Sequence, residues 1–207
     1  MDTKAAQDPV KLEVFIDFVC PWCYLAHGVL QQLPEEQRLD IHWLPFPLHP
    51  DTPASGMLLS ELFGNADIDG MHERLYAIMD ESGLPYSRNR TQLFNTRKAQ
   101  ELLIWASDRD AGTALVDAMF HAYFVNNQNL ADDETLRSVV QTAGLDPDEA
   151  MQALAERSFA DDVDEAWQRA RQYQLNGVPA FVGGGYQLSG YQPLEEMERF
   201  VDYIKDA

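Results

Sequence analysis

Lys11-Leu12-Glu13-Val14-Phe15-Ile16-Asp17-Phe18-Val19-Cys20-Pro21-Trp22-Cys23 is the stretch that decides the fold. Residues 11–19 are apolar on both faces, as in a central strand. The residues after them read as a helix from Cys20 to about Leu33, stopped by Pro34. Pro21 suits the first helical position, where its missing N–H is not needed and its φ is already right. Cys20 then falls at the N-cap, against free backbone N–H groups and the positive end of the helix dipole. That setting stabilises a thiolate, the reactive form of cysteine. Cys20 and Cys23 are the only cysteines, and their spacing brings both sulfurs within one turn, as dithiol–disulfide chemistry requires. Two inert core thiols or a structural metal site are the competing readings. Zinc wants four ligands, and His27, His42, His49, His72 and His121 are scattered without a ligand spacing.

Outward from this stretch, a second strand runs through Leu39–Phe46, with Leu39, Ile41 and Trp43 alternating. Prolines at 45, 47, 50 and 53 then break regular structure. From about Gly56 to Gln174 the pattern is helical throughout. Stripes run through Met71, Leu75, Ile78 and Met79, through Ala99, Leu102, Leu103 and Ala106, through Leu115, Met119, Ala122 and Tyr123, through Leu136, Val139, Val140 and Ala143, and through Phe159, Val163, Ala166, Trp167 and Ala170. Asp146-Pro147-Asp148-Glu149 is a helix start, and Asn176-Gly177 is a stop. Strands return only at 179–182 and 186–189, joined by Gly183-Gly184-Gly185 as a hairpin turn. A last helix near Pro193 buries Leu194, Met197, Val201 and Ile204.

The order β-α-β, helical block, α-β-β-α predicts an α/β fold of thioredoxin-like layout with a large all-helical insertion. The expected division is residues 10–50 and 159–207 for the two halves of the thioredoxin-like domain and 51–158 for the insert. An irregular loop of that length is rare, so the block is read as a folded unit. The segment from Leu84 to Phe94, with Tyr86 and Phe94, is expected to border the dithiol groove, unless these side chains fill the insert's own core.

The chain has 207 residues, 45% of them hydrophobic, enough for a core. With 34 acidic and 15 basic residues its net charge is −19, which argues against nucleic acid as a partner. No apolar run approaches the ~18 residues of a membrane span. The first nine residues are polar, read as a disordered lead-in without the apolar core of a secretory signal. A cytoplasmic location follows, where a Cys-x-x-Cys is catalytic more often than structural.

Four motifs in order resemble the DsbA-type thioredoxin-fold family, and within it the FrnE-like cytoplasmic branch. They are Asp17-Phe18-Val19-Cys20-Pro21-Trp22-Cys23-Tyr24, Asn95-Thr96-Arg97-Lys98-Ala99, Gly177-Val178-Pro179-Ala180-Phe181 and Ser189-Gly190-Tyr191-Gln192-Pro193. The resemblance spans roughly residues 11–205. It implies a thiol–disulfide oxidoreductase or isomerase in which Cys20 attacks a substrate disulfide and Cys23 resolves the mixed disulfide. It implies a cis Val178-Pro179 peptide against the cysteines, with the Val178 backbone free to pair with an extended substrate. It assigns Asp17 to proton transfer at Cys23, against the plainer reading of a strand-end acid bonded to local backbone. It places Trp22, Asn95, Arg97, Ser189 and Gly190 at the substrate site, Arg97 as a holder of an anionic group. No metal or nucleotide cofactor is implied. Partners are protein or small-molecule thiols and disulfides, with glutathione or a thioredoxin system supplying electrons. The alternative is a glutathione-dependent isomerase or transferase of the 2-hydroxychromene-2-carboxylate or kappa type, which usually carries Ser at the first position of the motif and against which Cys20 and Cys23 argue.

Overall fold

The computed structural model of the chain describes residues 9–34, 39–64 and 68–205, with the side chains of Ile68, Asp69 and Met71 left aside. The polar lead-in up to residue 8 and the Met71 member of the first helical stripe lie outside what is described. β1 (Val10–Ile16) leads through a tight turn into α1 (Pro21–Leu30) and back through β2 (Leu39–Pro45). β1 is the parallel partner of β2, Val14 opposite Trp43, and the antiparallel partner of β5 (Ala180–Gly183), Val14 opposite Phe181. With β6 (Tyr186–Ser189) the sheet order is β2-β1-β5-β6, which makes β1 central. The turn between β5 and β6 places Gly184 and Gly185 at φ +55° and +81°, a left-handed pair that suits a two-residue hairpin. A Cβ on Gly184 would meet the Ile204 backbone oxygen at 3.1 Å, so glycine also admits the final helix, α9 (Leu194–Lys205).

Period-two alternation sorts β1 between two cores. Leu12, Val14 and Ile16 join the main core with α1 and α9. Phe15 turns to the other face with Ala180, Val182 and Ala170. That second face is covered by α8 (Ala160–Gln172), which Arg169 ties to β1 through Glu13 at 3.1 Å. Between β2 and β5 lies the helical block, and the architecture is thioredoxin-like α/β with a helical insertion. Its longer members are α3 (Ile68–Ser82), α4 (Arg97–Ser107), α5 (Gly112–Phe120), α6 (Asp133–Thr142) and α7 (Pro147–Ala155). α5 continues into one π-helical turn, His121–Val125. Asp146 caps α7 by accepting from the N–H groups of Asp148 and Glu149 at 2.8 and 3.3 Å, with Pro147 at the first position.

Two findings depart from the sequence reading. The block is not helical throughout: β3 (Met57–Leu58), running into the short α2 (Leu59–Phe63), pairs antiparallel with β4 (Gln92–Leu93). Two-residue strands carry no periodicity, and the pairing of Met57 with Leu93 and of Leu58 with Gln92 defines them. In the segment from Leu84 to Phe94 the apolar side chains pack against the rest of the block, while Arg88, Asn89, Thr91 and Gln92 are exposed. Leu84 lies against Gly28 of α1, the Pro85 carbonyl accepts from Tyr24 Oη at 2.7 Å, and Tyr86 stacks on Tyr76 at 5.1 Å. Phe94 sits edge-on to Tyr123 at 6.4 Å and against Gly56. These rings fill the block and its seam with α1.

Candidate active site

Cys20 is the N-cap of α1, in extended backbone (φ −83°, ψ 113°), with Pro21 next. The turn that delivers it is closed by its own N–H on the Asp17 carbonyl at 3.1 Å, while its carbonyl accepts from Cys23 and Tyr24 N–H. Both cysteines are reduced and buried, Cys20 at 3% exposure and Cys23 at 0%. From the opposite side, Cys20 Sγ donates to the Val178 carbonyl at 3.4 Å. The Val178–Pro179 peptide is cis and Pro179 is buried. The Pro179 carbonyl accepts from Gly190 N–H at 2.8 Å, which brings Ser189 and Gly190, at the end of β6, alongside. Trp22 is 39% exposed, its ring 6.2 Å from that of Tyr191. Cys20, Trp22, Val178, Pro179, Ser189 and Gly190 therefore meet at one mouth, assembled from α1 and the hairpin.

The two thiols are electrostatically unlike. Cys20 lies below the ordinary thiol value, because the Cys23 thiol donates to it and the backbone N–H groups of Cys23 and Trp22 face it, against the opposing effect of burial. Cys23 lies well above it, first because it is fully buried and then because of that same donated hydrogen bond. The same hydrogen bond thus drives the two thiols in opposite directions. On raising the pH, the reduced protein is expected to be alkylated at Cys20, with an inflection below the ~8.5 of a free cysteine. An inflection at or above that value would remove the helix-terminus argument.

Asp17 lies beneath the pair and is almost fully buried. Its Oδ1 accepts from Val19 N–H at 3.3 Å and from Thr96 Oγ1 at 2.9 Å, and its Oδ2 from Leu48 N–H at 3.1 Å and Gln100 Nε2 at 3.4 Å. Burial outweighs these donors and pushes its carboxyl up from 3.8 to about 6. The plainer reading, a strand-end acid bonded to local backbone, is seen in its contacts. It caps the local turn through Val19, and it acts electrostatically on both thiols.

Asn95 and Arg97 are committed elsewhere. Asn95 Nδ2 donates to the Thr52 and Pro50 carbonyls at 2.8 and 3.2 Å, and its Oδ1 accepts from Arg97 N–H. The Arg97 guanidinium donates to Glu101 at 3.2 Å, Asp164 at 2.6 Å and the Ala160 carbonyl at 2.7 Å, and lies 4.8 Å over Trp167. The structure corrects the expectation that Arg97 holds a ligand anion: its guanidinium is engaged by Asp164 and by Glu101, which it shares with Arg157. Sequence reasoning missed Thr96, Gln100 and Trp167. The signal available was Gln100, an amide flanked by the apolar stripe of α4.

With this geometry in view, the chain can be set beside known proteins. Residues 11–202 match the DSBA-like thioredoxin domain. Among solved structures, the "probable DsbA oxidoreductase" of Streptomyces coelicolor superposes with a TM-score of 0.85 at 27% identity, covering 95% of this chain and 90% of that one. The fold is shared at lower identity by 2-hydroxychromene-2-carboxylate isomerase (TM-score 0.75, 19% identity, 94% and 96% covered). It is also shared by the cytosolic disulfide reductase DsbM of Pseudomonas aeruginosa with GSH (0.68, 17%, 96% and 100%).

Proposed function

Since this chain belongs to the DSBA-like thioredoxin domain family, we propose that it is a thiol–disulfide oxidoreductase, with isomerase capacity, working in the cytoplasm. The observation that carries the reading is the pairing of unlike thiols at the start of α1, Cys20 lowered and Cys23 raised, beneath the Val178 carbonyl. Cys20 attacks one sulfur of a substrate disulfide as thiolate and releases the other as a thiol. Cys23 then gives up its proton, with Asp17 as acceptor, attacks Cys20 and frees the second sulfur, leaving a Cys20–Cys23 disulfide. Run in reverse, the same steps oxidise a dithiol. Trp22, Val178, Pro179, Ser189 and Gly190 form the substrate face, with the Val178 backbone as the edge to which an extended segment docks.

Substrates are protein or small-molecule disulfides, and the redox-active cysteine pair needs no metal or nucleotide. Glutathione or a thioredoxin system restores the dithiol, and the GSH held by the similarly folded DsbM supports the first of these. The acidic surface disfavours nucleic acid, and among the described residues no helix is long and apolar enough to cross a membrane. An isomerase of the hydroxychromene type gives Cys23 no role, so the dithiol reading is preferred. Cys23→Ser decides between them. It is expected to accumulate a mixed disulfide on Cys20 that the wild type resolves, and absence of any such adduct with disulfide substrates would overturn the reading.

A further inference from the structure

A chain of hydrogen bonds runs from α8 to the acid beneath the dithiol. Trp167 Nε1 donates to Gln100 Oε1 at 2.8 Å. An indole N–H can only donate, so the direction of the Gln100 amide is settled: its oxygen faces Trp167 and its NH2 faces inward. There the NH2 approaches Thr96 Oγ1 at 3.0 Å, the Phe46 carbonyl at 3.2 Å and Asp17 Oδ2 at 3.4 Å. Thr96, accepting from Gln100, turns its own proton to Asp17 Oδ1 at 2.9 Å. With the N–H groups of Val19 and Leu48, these contacts present Asp17 with donors alone. Donors favour the carboxylate, while burial favours the acid. Trp167 is itself held in place beneath the Arg97 guanidinium.

We propose that Trp167 and Gln100 are positioning residues for the proton that Cys23 gives up: Trp167 orients Gln100, Gln100 orients Thr96, and together they hold Asp17 as the carboxylate that receives it. This rests on the oxidoreductase reading and names how its second step is controlled. In the mixed disulfide, the Cys23 proton passes to Asp17 and the Cys23 sulfur bonds to Cys20. The bond between Cys20 and the substrate sulfur breaks, and the substrate leaves as a thiolate that is reprotonated by Asp17. The cysteine pair is oxidised by two electrons and the substrate disulfide is reduced by the same two. The titratable groups coupled to Asp17 are Cys20 and Cys23 of α1 and Tyr123 of the π-helical turn. The Tyr123 hydroxyl accepts from Arg90, and burial raises it so that it stays protonated. At the outer end of the chain Arg97 is paired with Glu101 and Asp164, and Glu101 also with Arg157 at 2.9 Å.

Trp167→Phe keeps a ring under Arg97 and deletes the orienting N–H, and Gln100→Leu deletes the amide. Two readouts follow in each variant: the titration of the Asp17 carboxyl carbon by NMR in the reduced protein, and the pH profile of release of a small aromatic thiol from its mixed disulfide with Cys20. Both variants are expected to move the Asp17 midpoint up by about one pH unit and to carry the release profile with it. The alkylation profile of Cys20 should move less than the Asp17 midpoint, since Asp17 is the last of the effects acting on that thiol. An Asp17 midpoint unmoved in folded Trp167→Phe overturns the proposal, whether or not Gln100→Leu folds. A midpoint that moves without the release profile overturns the proton role. A wild type that forms no mixed disulfide removes the oxidoreductase reading and the proton route with it, while the carboxyl titration still reports whether the donors hold Asp17.

Discussion

Cys20→Ser is expected to abolish disulfide turnover, with a loss on the order of 10³-fold or more. A serine hydroxyl at this N-cap would meet the same N–H groups, but it stays protonated at neutral pH and is a poor nucleophile toward sulfur. Cys23→Ser should lose turnover to a similar extent for a different reason, since Cys20 still attacks and the adduct is stranded. The two variants are separated by one measurement, a stoichiometric burst of released thiol from a small chromogenic disulfide. Cys23→Ser should give the burst and Cys20→Ser should not. Equal bursts from both would mean that Cys23 is a competent first nucleophile, which its burial and raised pKa argue against. Survival of turnover without Cys20 would move the function away from the dithiol altogether.

Asp17→Asn is expected to change how stability depends on pH. In the folded protein the carboxyl sits at about 6 against an ordinary 3.8, because burial penalises its charge. Between those two values the native state holds a proton that the unfolded chain has released, so wild-type stability falls as pH rises from about 4 to about 6 and levels off above. The shift corresponds to about 3 kcal/mol. An asparagine carries no titrating group, so the difference in unfolding free energy between wild type and Asp17→Asn should move by most of that amount, about 2 kcal/mol, in favour of the wild type on going from pH 7 to pH 4. Denaturant unfolding of both proteins at the two pH values measures it, with other carboxylates cancelling in the difference. A difference that does not vary with pH would show that Asp17 keeps an ordinary carboxyl.

How far the site could be read in advance depended on the range of the interactions. The Cys20-Pro21-Trp22-Cys23 turn was legible because everything that builds it is local: a proline whose φ suits the first helical position, a cysteine at the cap, and the free N–H groups of the same helix. The hairpin was legible for the same reason, since Gly184 and Gly185 alone make its left-handed turn. The central place of β1 followed from its being apolar on both faces, which the sheet order repeats.

Long-range contacts decided the rest. That Asp17 lies near the dithiol was visible three residues before Cys20. The carboxyl value near 6 depends instead on burial beneath the helical block and on donors from Leu48, Thr96 and Gln100, 31, 79 and 83 residues away. Arg97 was assigned to a ligand anion by the family resemblance, which speaks of a motif and not of its neighbours. Asp164 and the Ala160 carbonyl, brought across by α8, consume it. The pairing of β3 with β4 has no local signature, because strands of two residues are defined by their partner. The sequence by itself determined the redox motif, the strand and helix order on either side of the helical block and the hairpin, since backbone sterics and periodicity act over a few residues. Only the tertiary structure decided the charge state of Asp17, the orientation of Gln100 and the fate of Arg97, since desolvation and hydrogen-bond direction depend on which distant groups the fold packs together.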